Sequence, residues 1–251
     1  MASQLALLFA RQLMVPVLMT DLDQERVAKG VAFAHTELDT LHAKGRLSPD
    51  KCNRLKALIT GTTDKSLFSD ADFVIEAVFE QLDVKKVVFG QLEKVVRPDC
   101  ILATNTSSLS VAEMAAELAH PERVVGFHFF NPVALMPLLE IARADKTDDS
   151  SLATAFAVGK GLKKSCVLVA DRPAFVVNRL LNRFLGEIIS CVDEGASFAD
   201  ADSAVHAMGL PMDPFVLVQM VGPAVAQHVA QTLNAHFPDR FHASKKMGEL
   251  V

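Results

Sequence analysis

At 251 residues, half of them apolar, the chain can bury two cores and is expected to form two domains. Its 25 basic and 30 acidic residues give a net charge of −5 without a basic run able to neutralise a series of phosphates, so no nucleic-acid partner is expected. Cys52, Cys100, Cys166 and Cys191 lie far apart and read as small core residues in a reducing, cytoplasmic setting, and no apolar run approaches the roughly 20 residues that span a bilayer.

In chain order, Leu5, Leu8, Phe9 and Leu13 fall at helical spacing and predict a helix from Ala2 to Leu13, followed by a buried strand over Met14 to Met19. Arg11 and Gln12 interrupt this stretch, and no small-residue cleavage site comes after it, so it is not read as a signal peptide. A long helix runs from Gln24 to about Lys44, with Gly45 as its stop. Ser48 caps the next helix, with Pro49 at its first position and Leu55, Leu58 and Ile59 on its apolar face. Asp72 to Val78 reads as a strand bearing acidic residues, and Asp83 to Val96 as a helix. Cys100 to Asn105 and Val124 to His128 are two more buried strands, separated by a helix from Ser110 to Ala119.

Such alternation predicts an α/β, Rossmann-like parallel sheet covered on both faces. Leu138 to Ala142 and Ser165 to Val169 are expected to add edge strands, with a helix from Asp149 to Gly161 between them. From Val176 onward the pattern is helical, broken at Gly195, Gly209-Leu210-Pro211 and Gly222-Pro223. The expected organisation is therefore a sheet domain over 1–171 and an all-α domain over 172–251.

In an open parallel sheet, ligands bind beyond the carboxyl ends of the strands, which directs attention to polar residues that end strands. Asp21 is one: it can accept both hydrogen bonds of an adenosine ribose and repel a 2′-phosphate, or simply cap the next helix. Ser107, in Asn105-Thr106-Ser107-Ser108, can present a hydroxyl to a ligand or cap the helix after it. His128 ends a buried strand, and Glu140 on the next strand can hold one imidazole nitrogen and raise the basicity of the other, the logic of a catalytic dyad. Asn178 opens the helical domain, where its amide can bind a substrate oxygen or act as a cap.

Taken together, Asn105-Thr106-Ser107-Ser108-Leu109, Gly126-Phe127-His128-Phe129-Phe130-Asn131-Pro132, Glu140, Pro173-Ala174-Phe175-Val176-Val177-Asn178-Arg179 and Pro211-Met212-Asp213-Pro214-Phe215 resemble the L-3-hydroxyacyl-CoA dehydrogenase family in order and spacing. Asp72 to Lys85 and Met136 to Ile141 look most like the dehydrogenase part of bacterial multifunctional fatty-acid oxidation proteins. The resemblance implies NAD as cofactor and oxidation of an L-3-hydroxyacyl-CoA to a 3-ketoacyl-CoA. It makes His128 the base and Glu140 its partner, with Ser107 and Asn178 holding the reacting oxygen. Asp21 would take the adenosine ribose, while Val78, Phe79, Glu80, Lys85, Ser107 and Asn131 would line the rest of the cofactor groove. The family also implies a homodimer through the helical domain or assembly with a thiolase subunit.

The family begins with a strand and a G-x-G-x-x-G loop that hold the pyrophosphate. Met1-Ala2 falls where that loop ends, which puts Met1 against the cofactor and leads to the expectation that the first strand and its glycines are missing. Ala174 and Asp213 stand at positions that are often glycine, and the helical domain is expected to be incomplete at its C-terminal end. A related dehydrogenase of a non-CoA sugar acid and an inactive acyl-CoA-binding or assembly fragment are the alternatives.

Overall fold

The first helix, α1 (Ala2–Leu13), has two apolar stripes, and each meets a different core. Leu5 and Leu8 pack with Ile101, Val125, Phe127 and Ile141, whereas Ala6, Leu7 and Ala10 pack with Ala34, Leu38, Leu55 and Ile59. The computed structural model describes residues 1–249 and divides into two units, Met1–Thr106 with Val111–Asp171, and Ser107–Ser110 with the chain from Arg172 onward.

In the first unit α1 ends on Met14, whose φ of 58° turns the chain into β1 (Val17–Thr20). The expected strand over Met14 to Met19 is thus shortened at its start, because Met14 is the helix cap and Pro16 offers no ladder N–H. Helices α2 (Gln24–Ala43) and α3 (Pro49–Ala57) come next, the first stopping before Gly45 (φ 69°) and the second capped by Ser48, which accepts from the Lys51 amide at 3.3 Å. The helical reading through Leu58 and Ile59 is corrected: α3 ends at Ala57, and β2 (Ile59–Thr62) pairs in parallel with β1. The Ile-Thr-Gly-Thr composition of β2, rich in β-branched residues, is the signal for that strand.

The second sheet contains β3 (Phe73–Glu76), β4 (Ile101–Thr104), β5 (Val124–Phe129), β6 (Leu138–Arg143) and β7 (Ser165–Ala170), in that order. Helices α4 (Leu82–Glu93), α5 (Val111–Ala115) and α6 (Asp149–Gly161) connect its strands, α5 being shorter than expected. Pairing is parallel except between β5 and β6. The expected parallel sheet is thus present with one antiparallel pair, and the reading of β6 as an edge is corrected, since it lies between β5 and β7. The connection from Phe130 to Pro137 is too short for a crossover, so the chain must turn back antiparallel. Among the described residues β1 pairs only with β2 and β3 only with β4, leaving two sheets that share no ladder.

The second unit is helical: α7 (Val177–Asp193), α8 (Phe198–His206), α9 (Pro214–Val221), α10 (Pro223–His236) and α11 (Lys245–Glu249). Gly195, Gly209 and Gly222 separate these helices at φ of 119°, 69° and 100°, angles that a side chain disfavours. Asp193 at the end of α7 accepts from His242 Nε2 (2.6 Å), Ser244 Oγ (3.0 Å) and the Lys246 amide (3.2 Å), tying the segment before α11 back to α7.

Strand β5 alternates between two environments. Phe127 and Phe129 enter the large apolar core, while Gly126 and His128 lie on the other face. A Cβ on Gly126 would fall 2.6 Å from the Ala142 Cβ and 3.2 Å from Val111 Cγ2, so only glycine lets β6 and α5 approach β5 this closely. Gly126→Ala is therefore expected to destabilise the chain by about 1–3 kcal/mol in denaturant unfolding, the usual range for overpacking. A variant as stable as the parent would contradict this close packing.

Candidate active site

His128 and Glu140 are direct cross-strand partners in the antiparallel β5–β6 register. Both are buried, and His128 Nδ1 lies 2.8 Å from Glu140 Oε2. An ionised carboxylate can only accept, so Nδ1 carries the hydrogen and donates it. That fixes the tautomer. The Phe130 ring, 4.5 Å from the imidazole centroid, restricts its rotation further.

At the carboxyl ends of β3 and β4, Val78 and Phe79 are exposed, at 41% and 66%, and suit a groove wall. Lys85 lies elsewhere than a groove-lining residue should. It is 1% exposed, and its ammonium donates to both oxygens of Glu76 at 2.8 and 2.9 Å and lies 3.2 Å from Glu80 Oε2. Desolvation makes a buried ammonium costly without such partners. Glu76 was not singled out from the sequence, although a carboxylate inside an otherwise apolar strand is the signal that could have found it.

Asp21 follows β1 with its side chain about half exposed; its Oδ1 accepts from the Leu22 amide at 2.7 Å, and Arg26 stands 4.0 Å away. Its neighbour Asp23, accepting from the Arg26 amide at 2.8 Å, is the residue that caps α2. Met1 precedes α1, which begins without a side-chain cap. An acceptor at one strand end and an uncapped helix start fit the ribose and phosphate ends of a dinucleotide.

Asn131 is exposed just beyond β5, in a cis peptide bond with Pro132. Its loop is held from both sides: Gln4 Oε1 accepts from the Val133 amide at 2.9 Å, and Lys164 Nζ donates to the Val133 and Met136 carbonyls at 2.6 and 2.7 Å. Burial pushes the Lys164 pKa below the usual lysine value. Gln4 and Lys164 belong to no recognisable motif, so this support could not be read from the residues alone.

Ser107 is half-buried, and the α5 amides of Val111 and Ala112 are held by Asp171 at 2.9 and 2.8 Å. In the helical unit, Asn178 Nδ2 donates to the Ser107 carbonyl at 3.4 Å, which brings these two candidates together. Just ahead of α7, Ala174 and Phe175 adopt φ of 58° and 45°. This left-handed bend gives a physical reason for glycine at the Ala174 position in the family.

Comparison with known proteins points to one family. Residues 1–172 match the family description "3-hydroxyacyl-CoA dehydrogenase, NAD binding domain", and residues 175–251 match "3-hydroxyacyl-CoA dehydrogenase, C-terminal domain". The fatty acid oxidation complex subunit alpha of Psychrobacter arcticus is 37% identical over 232 residues, 92% of this chain and 32% of that protein. The chain thus spans about a third of the length of the curated relatives it matches. Among solved structures, M. tuberculosis FadB2 is 34% identical with a TM-score of 0.92, covering 99% of this chain and 88% of that one. The (S)-3-hydroxybutyryl-CoA dehydrogenase PaaH1 of Ralstonia eutropha is 33% identical with a TM-score of 0.92, covering 98% and 88%. With both of its parts matched, the chain belongs to the 3-hydroxyacyl-CoA dehydrogenase family.

Proposed function

We propose that the chain carries the dehydrogenase chemistry of fatty-acid β-oxidation, oxidising an L-3-hydroxyacyl-CoA to the 3-ketoacyl-CoA with NAD. The observation that carries this reading is the buried His128–Glu140 pair, joined at 2.8 Å across adjacent strands. NAD, when bound, supplies the hydride acceptor. His128 Nε2 removes the proton of the substrate 3-hydroxyl, and Glu140 keeps the imidazole in the right tautomer and offsets the charge it acquires. Ser107 and Asn178 are assigned to the reacting oxygen. Asp21 is assigned to the adenosine ribose, and Met1, Val78, Phe79, Glu80, Ser107 and Asn131 to the rest of the cofactor groove.

The relatives' name as a fatty acid oxidation complex subunit supports a place in fatty-acid oxidation and in an assembly; the assembly in this proposal is with a thiolase subunit, or with a second copy through the helical unit. No helix among the described residues is long and apolar enough to cross a membrane. A cytoplasmic setting belongs to the same proposal, and the four cysteines are free thiols, as a reducing compartment would keep them.

The dyad is tested by a double-mutant cycle at saturating NADH. His128→Gln is expected to lower kcat by ~10²–10⁴-fold while acyl-CoA binding survives, because a general base acts in the transition state. Glu140→Gln should slow turnover as well. The double variant should be little worse than His128→Gln alone, since Glu140 then has no base to orient. Fully additive losses, or near-normal kcat in His128→Gln, would remove the dyad from the mechanism.

Asp21→Asn tests the cofactor assignment separately. Loss of one acceptor and of the charge that repels a 2′-phosphate should weaken NADH binding and narrow the preference over NADPH. An unmoved preference would make Asp21 a loop residue only.

A further inference from the structure

We propose that Glu76 is a positioning residue for the cofactor side of the sheet, holding the Val78–Glu80 loop and the Asn105–Thr106 turn in one arrangement through Lys85 and Thr104. The proposal rests on the NAD-dependent reading above. Its basis is a closed ring of side chains. Glu76 accepts from Lys85 Nζ at 2.8 and 2.9 Å and from Thr104 Oγ1 at 2.8 Å. Lys85 Nζ reaches Glu80 Oε2 at 3.2 Å, and Thr106 Oγ1 donates to Glu80 Oε1 at 2.6 Å. The Thr106 amide donates to Thr104 Oγ1 at 3.2 Å and closes the circuit. Glu76 also accepts from the Val78 amide at 2.6 Å, so one carboxylate fixes the backbone that leaves β3 as well as the side chains beyond it.

Burial separates the roles within the ring. Glu76, Lys85, Thr104 and Thr106 are all at most 3% exposed, whereas the Glu80 side chain retains 30%. Glu80 is therefore the member that reaches solvent, and both of its oxygens are gripped by buried donors. Stability alone is a weak reason for such an arrangement, because a buried ion pair often contributes no more than an apolar substitute of the same volume. Orientation is the stronger reason. The ring joins the carboxyl ends of adjacent parallel strands, the place where open α/β sheets bind their ligands. Lys85 accordingly acts from within, as the strut between Glu76 and Glu80.

Glu76→Gln places an amide NH₂ where an ammonium must find an acceptor, so the ring opens at its deepest point. Amide hydrogen exchange at 78–81 and 105–106 is expected to accelerate about tenfold or more, and the Kd for NADH to rise by a similar factor, from the usual strength of hydrogen bonds to charged groups. kcat at saturating NADH should stay within about twofold, because the dyad lies on other strands. Glu76→Asp should recover part of the loss. Thr104→Val, nearly isosteric, breaks the ring without leaving a buried charge and should show the same signature in weaker form, which keeps the test decisive if Glu76→Gln does not fold. Leu55→Ala, in the core around α3, supplies a destabilised variant away from the ring.

Exchange at these segments and an NADH affinity no more altered than in Leu55→Ala would overturn the proposal. A parent chain that binds no NADH would instead count against the NAD-dependent reading, while the exchange comparison still decides whether Glu76 holds the two segments.

Discussion

The antiparallel pairing of β5 with β6 sets His128 opposite Glu140, and the candidate chemistry depends on that register. A slip of one residue in either strand would send that strand's member of the pair to the other face of the sheet, the face of Phe127 and Phe129, and part the two side chains. Several features hold the register. Phe127, Phe129, Leu139 and Ile141 anchor one face in the large core, and the close approach at Gly126 and Ala142 seats α5 on the other. The dyad is consequently a product of the sheet itself, which places it more rigidly than a loop could.

Helix α1 has the complementary role of joining the two sheets of the first unit. Its opposite stripes enter the two apolar cores, and its Gln4 side chain reaches the loop that carries Asn131. Between β1 and β3 no ladder exists among the described residues, and side-chain packing on α1 takes the place of backbone pairing. The same helix start is assigned to the phosphate end of the cofactor. Under the proposed function, packing of the sheets and cofactor binding share this one element.

Much of the fold was legible in the sequence because helical periodicity is strong where one face is buried. α1 and α6 begin and end at the residues that periodicity indicates, and Ser48, Gly45 and Gly195 punctuate the chain as their backbone preferences require. β2 is hard to see because its first residue, Ile59, continues the apolar spacing of Leu55 and Leu58, and the strand is only four residues long. The direction of β6 is carried by the short connection from Phe130 to Pro137 and not by its alternation, which carries no information about its neighbour. At the site, the pairing of His128 with Glu140 could be anticipated as two residues facing each other on successive strands. The burial of Lys85 could not, because it depends on Glu76 and Thr104, whose proximity is set by the parallel register of β3 and β4.

The claim that this site oxidises and reduces acyl-CoA carbon 3 is tested most directly by NADH-dependent reduction of acetoacetyl-CoA beside that of a small keto sugar acid. Consumption of NADH with acetoacetyl-CoA, yielding the L-3-hydroxy product, is the predicted result. Turnover of the sugar acid alone, or no turnover of acetoacetyl-CoA, would contradict the account.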